Sequence, residues 1–135
     1  MTSKGIKYLL LSITGLIIIL FCSLVQHVPA PIKGEYYYSS FFGNNYTLLA
    51  KALFVITGFV AGYVYNLTPW LAGICLILIF PLTSIIEGFV YTGSHNLLPI
   101  EFAFYFWRAL PSIIAAFIGR FSYRQIAKRK EVVDD

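Results

Sequence analysis

Three ionisable side chains, Lys51, Glu87 and Arg108, stand inside long apolar runs rather than at their ends. A charge at the centre of a lipid bilayer costs about 2.5–3.5 kcal/mol on insertion scales, and less near the surface. Side chains of this kind turn inward, snorkel to the surface or pair with one another. The plainest expectation is an ion pair in which Glu87 and Arg108 join two helices while Lys51 snorkels. The alternative is a pocket in which Lys51 and Arg108 outnumber Glu87. Such a site favours an anionic group, whether a carboxylate, a phosphate or a lipid headgroup, and Arg108 can hold it with a bidentate contact.

His95 and Glu101 are expected just above these three, on a rim that also takes Tyr91 and Tyr105. Glu87 beside His95 would suit a proton relay. Glu87 or Glu101 with His95 are the acid–base candidates if the chain is a membrane-embedded enzyme acting on a lipid or lipid-linked substrate. No HExxH, GxSxG, glycine-rich phosphate loop or CxxC pair accompanies them, so a non-enzymatic role leads. His27, His95, Glu87 and Glu101 lack the tight ligand spacing of a metal centre, and neither metal nor cofactor is expected.

These residues need helices to carry them. Of 135 residues, 59% are hydrophobic and 12% charged, whereas soluble domains carry about a quarter charged residues; the mean hydropathy is +0.76. A bilayer core about 30 Å thick takes roughly 20 helical residues to cross. Apolar runs of about that length cover residues 5–26, 47–66, 69–91 and 102–123. The expected fold is a single domain, an all-α integral membrane protein built as a four-transmembrane-helix antiparallel bundle. Outer loops at 27–46 and 92–101 and a tail at 124–135 complete it. Counted from the outer ends of their spans, Lys51, Glu87 and Arg108 share a depth of about 6–9 Å.

Orientation follows from the basic residues. Lys4 and Lys7 flank the first run, and Arg120, Arg124, Lys128, Arg129 and Lys130 cluster around the end of the last, whereas loop 27–46 holds only Lys33. Both termini are therefore expected in the cytoplasm, with the chain multi-pass in the cell membrane. The net charge of +4 reports this topology and an attraction to anionic lipid headgroups at the cytoplasmic flanks, not nucleic-acid binding. The first run is too long for a cleaved signal sequence and reads as an anchor. Cys22 and Cys75 fall at different depths, so no disulfide is expected.

In lipid, helices associate where small residues let backbones approach and where polar side chains meet. Such stripes occur at Gly58 and Gly62 on the second run and at Ser112, Ala115 and Gly119 on the fourth. The Gly58/Gly62 face is the expected seam for self-association or for a partner membrane protein. Pro81 and Pro111 are each expected to kink their helices. Together these features suggest small-solute or lipid-linked transport, or an accessory subunit of a membrane complex, with an outer-side site for an anion.

Overall fold

The structure is a computed structural model that describes residues 4–91 and 98–134. The described residues form six helices: α1 (Lys4–Gln26), α2 (Tyr37–Asn44), α3 (Leu48–Tyr63), α4 (Pro69–Leu76), α5 (Ile79–Val90) and α6 (Leu98–Asp134).

The connections follow from local chemistry. α1 stops at His27, which adopts a left-handed backbone (φ 47°) ahead of Pro29. Loop 27–46 is not irregular throughout, because its aromatic stretch winds into α2. Asn45 and Thr47 then turn the chain by 79° into α3; the Thr47 hydroxyl accepts from the Ala50 N–H at 3.4 Å and caps the new helix. α3 ends at Tyr63, the chain beyond it turns through Asn66 at φ 48°, and the Leu67 N–H reaches back to the Ala61 carbonyl at 3.2 Å. This is a left-handed stop of the kind Asn tolerates. Leu67 is thereby buried, and Pro69 opens α4 at a position where no N–H is needed.

Pro81 breaks the third run one turn before itself. It has no N–H for the Ile77 carbonyl, and its ring crowds that group. The chain responds with tight three-residue bonds, Leu78 N–H to Cys75 and Phe80 N–H to Ile77, and α5 departs from α4 at 51°. At Pro111 the helix is not interrupted: α6 runs through it as one element of 37 residues. That helix also continues to Asp134, past the expected end of the span at Tyr123.

The tightest seam joins α3 to α6. A β-carbon on Gly58 would stand 2.4 Å from the Ser112 carbonyl, one on Gly62 would stand 2.1 Å from that of Ala116, and one on Gly119 would stand 2.3 Å from that of Phe59. Only hydrogen fits at these crossings. The Gly58/Gly62 face, expected between copies of the chain, is thus covered by α6 within the chain, and Ser112, Ala109 and Ala116 are fully buried along it. Gly15 performs the same service where α1 crosses the Leu76 backbone.

Outside this core the large side chains are apolar and exposed, among them Leu9, Ile17, Leu24, Phe104, Trp107 and Phe121. A surface of that kind suits lipid. α1 and the Pro99–Arg129 stretch of α6 are long and apolar enough to cross a membrane, and the bent pairs α2–α3 and α4–α5 bring the candidate spans to four if each counts as one.

The seam yields a direct test. Gly62→Ala is expected to lower stability by about 1–3 kcal/mol, the usual cost of overpacking, whereas Gly34→Ala, with nothing within 4 Å of its added carbon, should be neutral. Thermal unfolding of both variants in detergent makes the comparison.

Candidate functional site

Glu87 sits near the end of α5 and is 2% exposed. Its carboxylate accepts the Tyr38 N–H at 2.7 Å and the Ser39 N–H at 3.3 Å. These are first-turn amides of α2, whose own cap residue, Tyr36, offers no side-chain acceptor. The first amides of a helix have no partner within it and carry partial positive charge, so a carboxylate there supplies both hydrogen bonds and charge.

Arg108, on α6, meets the other end of the same helix. A β-carbon on Gly43 would lie 3.6 Å from Nη2 and 3.7 Å from Nη1 of Arg108, ordinary contact distances, so the guanidinium packs against the last turn of α2. A cation is favoured at this end. The guanidinium also lies over three rings, at 5.1 Å from Phe80, 5.6 Å from Tyr46 and 5.8 Å from Tyr105. Tyr46 ties the corner together: its hydroxyl donates to the Arg108 carbonyl at 2.7 Å, and its ring packs on Phe54 and Phe80.

Where Glu87 and Arg108 were expected to pair, the structure sets the carboxylate on the first amides of α2 and the guanidinium beside its last turn. Each charge is directed at one end of α2, which separates them. Lys51 does not join them either; it is exposed, with Nζ 5.6 Å from the Tyr46 ring centre. Asn45, buried at the corner, donates from its amide to the Phe41 carbonyl at 2.9 Å.

Arg108 instead lines a cavity of about 340 Å³ with Ser39, Ser40, Gly43, Asn44, Glu101, Phe104 and Tyr105. Glu101 lies in the first turn of α6, two turns before Arg108 and on the same face. Tyr105, between them, is buried and shares a short hydrogen bond with the Ser84 hydroxyl of α5.

No family model, curated protein or solved structure matches this chain. The reading of the site therefore rests on its own geometry.

Of the residues singled out in the sequence, Arg108, Glu101 and Tyr105 come together at the cavity, and Glu87 braces the helix that forms its wall. Tyr91 is exposed at the end of α5, and His95 lies outside the described residues. The glycines and Ser112 belong to the α3–α6 seam, and Ala115 is buried on α6. Sequence reasoning missed Tyr46, Gly43 and the α2 amides. The Gly43-Asn44-Asn45 run does signal a helix end, but nothing local announces a cap supplied from 48 and 49 residues away.

With their partners distinct, Glu87→Gln and Arg108→Gln should each destabilise the protein. Loss of charge-assisted hydrogen bonds costs about 1.5–3 kcal/mol at Glu87. Their effects should add to within about 0.5 kcal/mol in a double-mutant cycle read by chemical denaturation. Rescue of one by the other would reveal a direct pair.

Proposed function

We propose that this chain is a four-span antiparallel membrane bundle with both termini in the cytoplasm, and that its outer-side cavity binds an anionic headgroup on Arg108. It would serve lipid-linked transport, or act as an accessory subunit that holds such a molecule. The carrying observation is that Arg108 lines a polar cavity with Ser40 and Asn44, whose side chains can add donors, and with Glu101 on the same helix. An arginine placed over aromatic rings is pre-organised for bidentate contact with phosphate or carboxylate.

Contacts at the two ends support alternating spans. At one end Lys7 lies over the Tyr65 ring at 5.5 Å, the Tyr8 hydroxyl accepts from the Thr68 N–H at 3.0 Å, and Arg120 Nε donates to Asn66 at 3.1 Å. The start of α1, the α3–α4 turn and the basic part of α6 thus share an end, and by the positive-inside rule that end is cytoplasmic. The Glu87–α2–Arg108 group is at the opposite one. A headgroup ligand suits this frame better than a solute path, because the backbone contact of α3 with α6 leaves no passage between those helices. The enzymatic alternative would have to use Glu87, whose carboxylate already accepts two backbone amides.

The test is a titration of the detergent-purified protein with glycerol 3-phosphate, and with glycerol as the neutral control, followed by thermal shift. Stabilisation by the phosphate alone is expected, and Arg108→Gln should weaken it at least tenfold. An Arg108→Gln variant that folds and retains the response would remove the basis of this reading.

A further inference from the structure

The polar cavity has an apolar neighbour. A groove of about 350 Å³ runs between α4–α5 and α6, lined by Ile77, Pro81, Leu82 and Ile85 on one side and Phe102 and Phe106 on the other. It exists because the 51° break at Ile77–Leu78 swings α5 off the axis of α4, while Ala109 on α6 is too small to fill the gap. Tyr105 lines both spaces. On α6 the two linings interleave, Glu101, Phe104, Tyr105 and Arg108 against Phe102, Tyr105, Phe106 and Ala109, so they occupy adjacent arcs of one helix that meet at Tyr105. Leu82, Ile85, Phe102 and Phe106 are each between 37% and 45% exposed, so the groove opens sideways toward lipid.

We infer that the two spaces form one site for an amphiphile: the anionic headgroup rests on Arg108, and one hydrocarbon chain of the same molecule passes Tyr105 and lies in the α5–α6 groove. Tyr105 is the dividing wall. Its hydroxyl is held by Ser84, its ring stacks on Phe80 at 6.0 Å and meets Phe102 edge-on at 6.3 Å, and the Arg108 guanidinium lies over it at 5.8 Å, so the ring is fixed between the two spaces. The continuity of a polar space, lined by Arg108 and Glu101, with an apolar one favours a phospholipid or lipid-linked phosphate over a soluble anion, which would use the first space alone. This inference rests on the headgroup reading above and adds the chain to it.

The experiment compares glycerol 3-phosphate, dihexanoyl phosphatidic acid and dioctanoyl phosphatidic acid on the parent protein and on Ile85→Trp, in one detergent. Each methylene moved from water into an apolar groove contributes about 0.8 kcal/mol, close to a fourfold gain in affinity. One chain lengthened by two methylenes should therefore bind the parent roughly tenfold tighter. Partition into the micelle is common to both proteins, so the difference between them reports the groove. Ile85→Trp fills the groove and is expected to keep the response to glycerol 3-phosphate while losing most of the gain from chain length. If Ile85→Trp does not fold, Leu82→Phe takes its place. A parent that shows no gain with chain length, or a variant that keeps all of it, overturns the inference while leaving the Arg108 reading standing. A change in oligomeric mass in the variant also overturns it, since the groove would then be a seam between copies. Failure of glycerol 3-phosphate and both lipids to bind the parent marks failure of the headgroup reading itself.

Discussion

A buried carboxylate holding the first amides of α2 is the interaction on which the half of this protein around α2 depends. Burying Glu87 without partners would be costly, and leaving the α2 amides bare in a water-poor setting would be costly as well. Joined, the two offset each other, and a helix of only eight residues becomes a fixed element between α5 and α6. Such a helix is far too short to be stable alone. Its opposite end lies against Arg108, so the dipole of α2 is matched at both termini and sets the separation of the two charges. The cavity wall, the position of Arg108 and the Tyr46 corner all follow.

Much of the architecture was legible because lipid imposes few options. The apolar runs at 5–26 and 47–66 correspond closely to α1 and α3, and Gly58, Gly62 and Gly119 mark a close crossing because backbones in lipid approach at small residues. What was not legible was which helix those glycines face, since a stripe records that a partner exists and not whether it lies in the same chain. Pro81 and Pro111 show the same limit. Pro81 lies in the first turn after a break, where its missing N–H could be accommodated by re-pairing the Ile77 carbonyl, whereas Pro111 is carried through a helix clamped along α3.

The charged residues were found in the sequence, but their pairing was not. Opposite charges at matched depth suggest each other, and a helix dipole is invisible in composition. The decisive partner of Glu87 is a pair of backbone amides in a segment expected to be a loop. Gly43 belongs to the same lesson, since it lies against a guanidinium 65 positions along the chain. A rigid α3–α6 core beside a lightly packed α5 then explains how one small chain can combine a firm scaffold with a site open to its surroundings.

Hydrogen exchange resolved over residues 35–44 tests the central claim most directly. In the parent, the Tyr38 and Ser39 amides should exchange slowly, and in Glu87→Ala they should exchange at the rate of an unprotected loop while the α3–α6 seam stays protected. Fast exchange at both amides in the parent, or unchanged protection in a folded Glu87→Ala variant, would show that the carboxylate does not hold this helix.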